Sequence, residues 1–234
     1  METKGIIFDF GGTLDTNGDH WSRLIHDGWN KAGVAADDAL FVEAYIYSEK
    51  ELERTERILP ATSFTDLLTT KIEIELQYLS QTGHFPPEEI EPKAKEIASY
   101  CLEVVKGNII KIKPTLESLS SKYKMAVVSN YYGNLETVMK ELGISQYFKY
   151  IADSKIVGKR KPDCSLLEYA VRKLELKSDE VVVVGDSYKN DIEPANKCGC
   201  KALLLDGRKW EDDEFNSSEV HVIKSLDEIV NFIG

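Results

Sequence analysis

Short, uninterrupted apolar runs recur along the chain, and the segments between them repeat their apolar residues every three or four positions. The runs are Gly5–Phe8, Lys124–Val128, Val181–Val184 (four consecutive valines) and Lys201–Leu205, with Val220–Ile223 as a fifth. Continuous runs rich in β-branched residues, rather than alternating ones, predict strands covered on both faces. Between them, Leu135–Leu142 is apolar at 135, 138, 139 and 142, and Leu166–Leu174, Asp191–Lys197 and Leu226–Phe232 follow the same helical logic. Strand alternating with helix predicts an α/β fold built on a doubly wound, parallel, Rossmann-like sheet.

One segment breaks the alternation. From Asp19 to Lys106 no strand pattern is visible, only amphipathic helical ones. Trp21, Leu24, Ile25, Gly28 and Trp29 fall on one helical face. Phe41, Tyr45 and Leu52 continue the pattern, as do Phe64, Leu67, Leu68, Ile72, Leu76 and Leu79. Pro86-Pro87 opens a last helix, read as Glu88–Val105 and ended by Gly107-Asn108. The expected organisation is therefore an α/β core of residues 1–16 and 110–234, with residues 17–109 inserted as an all-helical cap. The cap's aromatic stripes read as its own small core.

Composition narrows the picture. The chain has 234 residues, 42% hydrophobic and 29% charged, which is ordinary for a globular protein with a sizeable core. Twenty-nine basic against 40 acidic side chains leave a net charge of −11, which argues against nucleic acid or an anionic membrane as the partner. No apolar run approaches the length of a membrane span, and no signal peptide is visible. The four cysteines, 101, 164, 198 and 200, are too scattered for a disulfide framework and read as reduced thiols of a cytoplasmic protein. Cys198-Gly-Cys200 has no second Cys/His pair at zinc spacing. Glu211-Asp212-Asp213-Glu214 reads as a solvated loop.

Open parallel sheets bind ligands at the carboxyl ends of their strands. The first run is followed by Asp9-Phe10-Gly11-Gly12-Thr13, the second by Ser129-Asn130, and the valine run by Gly185-Asp186-Ser187 and then Asn190-Asp191. Between the last two lies Lys159-Arg160-Lys161-Pro162-Asp163. Asp9, Asp186 and Asp191 would then meet at one sheet edge with a hydroxyl and a lysine. Carboxylates crowded together resist ionising. A divalent cation relieves them, and an all-oxygen site shared with phosphate selects magnesium. Ser129 and Lys161 supply donors for phosphate oxygens. Gly11-Gly12 removes side-chain bulk, so that Gly12 lies against the phosphate and Asp9 can approach phosphorus as a covalent nucleophile.

The four stretches in this order resemble the haloacid dehalogenase-like hydrolase superfamily, over nearly the whole chain. Asp9-Phe-Gly-Gly-Thr13, Ser129-Asn130, Lys161-Pro162-Asp163 and Gly185-Asp186-Ser-x-x-Asn-Asp191 match its successive motifs. The resemblance implies Asp9 as nucleophile and Ser129 and Lys161 as phosphate ligands. It implies Asp9, Asp186, Asp191 and the Gly11 backbone carbonyl as Mg2+ ligands, and a helical cap inserted after the first motif. It also implies a small phosphorylated metabolite as substrate and an aspartyl-phosphate intermediate. Asn130 and Tyr131-Tyr132 read either as substrate contacts or as packing, and His20 either as a cap-side contact or as an ordinary surface or core residue.

One departure matters. Phosphatases of this family usually carry a second Asp two residues after the nucleophile, which protonates the leaving oxygen and then deprotonates the attacking water. Here that position is Gly11. General acid–base help is typically worth about 10²–10⁴ in rate, so its loss weighs most on poor leaving groups. Asp15 either replaces the missing carboxylate from the hinge or serves as a turn cap near Asn17-Gly18. Three readings follow: a Mg2+-dependent phosphohydrolase; a catalytically impaired relative that binds a phosphorylated ligand or a partner; and a dehalogenase or phosphonatase. The last is disfavoured because dehalogenating relatives do not need the metal carboxylates kept here. Hinges are expected at Asp15–Gly18 and Lys106–Lys113.

Overall fold

The computed structural model describes residues 2–209 and 220–233, so the acidic run Glu211–Glu214 lies outside the described residues. In chain order the elements are β1 (Gly5–Phe8), α1 (Trp21–Ala32), α2 (Asp38–Arg54), α3 (Phe64–Gln81), α4 (Ile90–Ser120), β2 (Lys124–Ser129) and α5 (Leu135–Glu141). There follow β3 (Tyr150–Asp153), α6 (Ser154–Val157), α7 (Cys164–Lys173), β4 (Val181–Gly185), α8 (Glu193–Lys197), β5 (Lys201–Leu205), β6 (His221–Ile223) and α9 (Val230–Ile233). The sheet order is β3-β2-β1-β4-β5-β6, parallel throughout. The apolar runs become its central strands: every residue of β1 and β4 is buried. Each fully buried Val or Ile contributes about 2 kcal/mol of transfer free energy.

Chain direction across the sheet reverses at β1, which pairs β2 on one side and β4 on the other. That switch opens a crevice beyond the carboxyl ends of these strands, the place where such sheets hold ligands.

Only helices stand between β1 and β2. Among them, α2 and α3 start on side-chain caps: at α2 Asp37 accepts from Leu40 N (2.8 Å), and at α3 Ser63 accepts from Asp66 N (3.0 Å). Their apolar residues do not form a separate core. Phe41, Ile72 and Leu76 belong to one continuous buried cluster with Phe8, Val127, Val184 and Leu203 on one face of the sheet.

Two expectations change. Gly107-Asn108 does not end a helix; α4 runs through both and through Pro114 to Ser120. Ala94, Ile97, Cys101, Val105, Ile109, Ile112, Leu116 and Leu119 keep one buried stripe going past the glycine, and this packing outweighs the local breakers. The hinge expected at 106–113 therefore falls inside a helix. A sixth strand, β3, also appears. It is an edge strand whose first two residues, Tyr150 and Ile151, are only half-buried, so it lacks the continuous apolar signature.

The helical layer buries a carboxyl group. Glu75 on α3 is fully enclosed; Ser48 Oγ donates to one oxygen (3.1 Å), and the other has no partner. Burial pushes this carboxyl up to about 7, with Lys71 one turn earlier opposing only part of the shift. The folded protein thus holds a proton that the unfolded chain, with an ordinary Glu near pH 4.3, releases earlier. Stability contributed at this site falls as pH rises from the unfolded value to the folded one, and stays lower above it. Glu75→Gln should flatten that slope and raise stability at pH 8 by up to about 3 kcal/mol relative to pH 5. Urea melts of both proteins at the two pH values measure this; parallel pH dependences would refute it.

Candidate active site

Asp9 leaves β1 with its N–H on Val184 O (2.9 Å), so the central strand pair fixes where it emerges. The loop then turns sharply. Gly12 has φ +98°, and a Cβ there would stand 2.4 Å from the Asp186 carboxylate. Only glycine admits both the left-handed backbone and that approach. Thr13 Oγ1 donates to Asp186 Oδ1 (2.9 Å). Gly185, at the end of β4, plays the same part for Asp191: a Cβ would meet its Cγ at 2.3 Å.

These contacts gather Asp9, Asp186 and Asp191, all buried, with one carboxylate oxygen of each within 4.8 Å of the others. Lys161 Nζ lies among them, 2.6 Å from Asp9 Oδ1 and 2.6 Å from Asp191 Oδ1. Ser187 N donates to Asp191 Oδ2 (3.1 Å). Burial, reinforced by the charges of Asp9 and Asp191, pushes Asp186 well above the usual carboxylate range. Burial also raises Asp191, to about 6, despite Lys161. For Lys161, burial alone would disfavour the ammonium, but Asp191 and Asp9 outweigh it and raise the group above its ordinary range.

The donor set suits a hard divalent cation. Three carboxylates within reach of one another, two of them held above their ordinary range, form a cluster that a dication would relieve. Thiols and histidines are absent from this cluster.

A cavity of about 780 Å³ opens over the cluster. Asp9, Gly11, Ser129, Asn130, Lys161, Asp186 and Asp191 all line it, so these expected site residues come together. Asn130 has a more specific placement than a ligand contact: its Oδ1 accepts from Lys161 N (2.9 Å) and its Nδ2 donates to Lys161 O (2.9 Å). Both ends of the amide thus clamp the backbone that carries the lysine.

The Asp15 side chain does not cap the turn at Asn17-Gly18; it is turned to the loop after Asp9 and to Trp21. It is fully buried; its Oδ1 accepts from Gly12 N (2.8 Å) and its Oδ2 from Trp21 Nε1 (2.8 Å). Burial raises its carboxyl to about 7. The indole of Trp21, not the Asp15 carboxylate, is what faces the cavity beside Gly11.

The helical layer supplies the opposite wall, which includes His20, Trp21, Tyr45, Glu49, Phe64 and Lys71. Trp21, Tyr45 and Phe64 thus serve the cavity as well as the core. Glu49 and Lys71 carried no motif. Their only sequence signal is charge on otherwise apolar helical faces. Lys71 is buried, ion-paired to Glu49, with its ammonium 4.2 Å from the centre of the Tyr45 ring. Tyr132 OH donates to the other Glu49 oxygen (2.8 Å), joining the two layers.

The haloacid dehalogenase-like hydrolase family model matches residues 63–205, more than half of the chain, starting beyond the Asp9 loop. Haloacid dehalogenase-like hydrolase domain-containing protein 3 of Danio rerio is 28% identical over 106 residues, 45% of this chain and 44% of that protein. The glyceraldehyde 3-phosphate phosphatase of Methanocaldococcus jannaschii is 32% identical over 92 residues, 39% of this chain and 40% of the relative. The chain spans less than half the length of either. The crystal structure of the Bacillus subtilis HAD-hydrolase YfnB, bound to magnesium, covers 100% of both chains at a TM-score of 0.60 and 15% identity, a likeness of fold.

Lys161 carries the charge balance of the cluster. In chelator-treated protein, Lys161→Met should cost about 3–5 kcal/mol at pH 7, the usual penalty for stranding buried partners. The cost should shrink at pH 5, below the Asp191 value of about 6, where that carboxyl is neutral. Urea melts at both pH values decide it; an equal loss at both would contradict this account.

Proposed function

We propose, for a chain that belongs to the haloacid dehalogenase-like hydrolase family, that it is a Mg2+-dependent phosphohydrolase of a small phosphorylated metabolite. The observation that carries this is the gathering of Asp9, Asp186 and Asp191 around Lys161 beneath one cavity. Asp9, Asp186, Asp191 and the Gly11 carbonyl would hold the magnesium, whose charge offsets that of the phosphoryl oxygens.

Asp9 attacks phosphorus: an Asp9 O–P bond forms, the ester O–P bond breaks, and the leaving oxygen departs with the bond's electrons. Water then attacks the phosphorus of the aspartyl-phosphate: a new O–P bond forms, the Asp9 O–P bond breaks to restore the carboxylate, and the protons of the water leave on the inorganic phosphate. Lys161 Nζ and the Ser129 hydroxyl donate to the phosphoryl oxygens, which gain from preorganised donors in a site shielded from bulk water. Asn130, clamped to the Lys161 backbone, holds that ammonium in register. Gly12, expected against the phosphate, instead makes room for the Asp186 carboxylate, which a Cβ would meet at 2.4 Å. Residues 17–109 act as the cap over this core of 1–16 and 110–234, with α4 passing from one to the other as a single helix.

Gly11 moves no proton, so the preferred leaving groups are those that depart unprotonated, such as acyl or aryl oxygens. Keeping both Asp186 and Asp191 favours phosphorus over carbon–halogen chemistry. A binding protein without turnover is the reading that Gly11 favours instead; absence of Mg2+-dependent phosphate release across a broad phosphoester panel would count against the phosphohydrolase, and activity gained only in Gly11→Asp would favour the binding reading.

Asp9→Asn should lower Mg2+-dependent phosphate release from an aryl phosphate by about 10³-fold or more; retained activity would rule out Asp9 as nucleophile. Gly11→Asp tests the missing acid. The Gly11 backbone (φ −76°, ψ 113°) admits any residue, and a Cβ there meets nothing nearer than Trp21 Cδ1 at 3.6 Å. The variant should raise phosphate release from alkyl phosphates by about 10²-fold or more, and from aryl phosphates by less, because these gain only a base for the attacking water. No change for either class would assign proton transfer to another group.

A further inference from the structure

The chain as a whole is strongly acidic, yet the cavity over Asp9 is not. Setting aside Asp9, Lys161, Asp186 and Asp191, the described residues of its wall include Lys50 and Lys71 from the helical layer. The core adds Lys155, Lys159, Arg160 and Lys189. Against these six stand two acidic residues, Glu49 and Glu53. Glu49 is taken up by Lys71 and Tyr132, and Glu53 lies 3.5 Å from Arg160. The wall therefore carries a surplus of four positive charges in a chain whose net charge is −11.

This surplus lies apart from the chemistry. The reacting phosphoryl group is matched at the cluster by Lys161 and the cation that the three carboxylates accommodate. A substrate with only that one anionic group would bring no anion to Lys50 and Lys159 of the wall. Lys159 and Arg160 directly precede Lys161, so the segment that carries the catalytic ammonium also carries cations at the cavity wall. Lys50 faces the same space from α2. Lysine and arginine donors bound to an anionic oxygen make hydrogen bonds about twice as strong as neutral ones, and a concave wall of one sign concentrates ligands of the other.

We propose that the substrate bears a second anionic group, a carboxylate or a second phosphate, received by the cationic wall at Lys50, Lys159 and Arg160 while the reacting phosphoryl group lies on Asp9. This rests on the phosphohydrolase reading and adds the substrate's second charge to it.

The test compares phenyl phosphate, 3-carboxyphenyl phosphate and 1,3-phenylene bisphosphate at saturating Mg2+. All three lose an aryloxide, so Gly11 weighs on them alike. The wild-type protein should show kcat/KM at least about 10-fold higher for one or both dianchored esters than for phenyl phosphate, mainly through KM. Which of the two is preferred identifies the second anion as carboxylate or phosphate. The double variant Lys50→Gln, Lys159→Gln should remove most of that preference and leave phenyl phosphate turnover unchanged. Equal kcat/KM for all three esters, or a preference that survives the double variant, overturns the inference and leaves the phosphohydrolase reading standing. No turnover of any of them overturns both.

Discussion

The site depends on one constraint: three buried carboxylates must share a space that electrostatics would deny them. Asp9, Asp186 and Asp191 lie within 4.8 Å of one another at their oxygens. Lys161 bridges two of them, and Thr13 and Ser187 N donate to the outer oxygens. One ammonium does not neutralise three carboxylates, and burial, with the neighbouring carboxylates adding to it, holds Asp186 and Asp191 above their ordinary range. A cluster left short of positive charge is suited to take up a dication together with a phosphate, because each ion offsets the charge that the other brings.

The surrounding fold serves that constraint. The reversal of chain direction at β1 brings Asp9 between the ends of β2 and β4. Gly12 and Gly185 then let neighbouring carboxylates pack directly against backbone, at distances where any side chain would intrude. Asn130 spends both ends of its amide on the Lys161 backbone. The lysine is therefore held from the strand-β2 loop as well as by its ionic partners. Rigid support of this kind matters to the proposed reaction, because a preorganised ammonium works only if it stays put while negative charge moves from Asp9 through the phosphoryl group to the departing oxygen.

Much of this was legible in the sequence because it rests on local patterns. Uninterrupted Val and Ile runs marked the buried central strands, and the polar residues that end them marked the crevice. Asp9, Ser129, Lys161, Asp186 and Asp191 were readable because each follows a strand or precedes a helix in a short motif. What escaped depends on contacts distant in sequence. Gly107 and Pro114 look like helix breakers, but α4 is held by a buried stripe packed against α1 and α3. The edge strand β3 pairs on one side only, so its sequence never needed to be uniformly apolar. Glu49 and Lys71 are 22 positions apart on different helices, and neither sits in a motif; only the folded layer shows them as a pair facing the cavity.

The environment of Gly11 turns a missing side chain into a statement about leaving groups. Asp15, four positions on, has both of its oxygens engaged. One of its oxygens is bound to Gly12 N and the other to Trp21 Nε1, so the carboxyl braces the loop from behind. The Trp21 indole occupies the space beside Gly11 and packs edge-on against Phe64 of the helical layer (6.0 Å between ring centres). The edge of the Trp21 ring thus stands beside Gly11, where phosphatases of the family usually carry a proton donor. On the proposed phosphohydrolase reading, that edge offers a departing alkoxide no proton, because its one N–H is spent on Asp15. The same contact that braces the loop would then restrict the site to esters whose oxygen can leave as an anion.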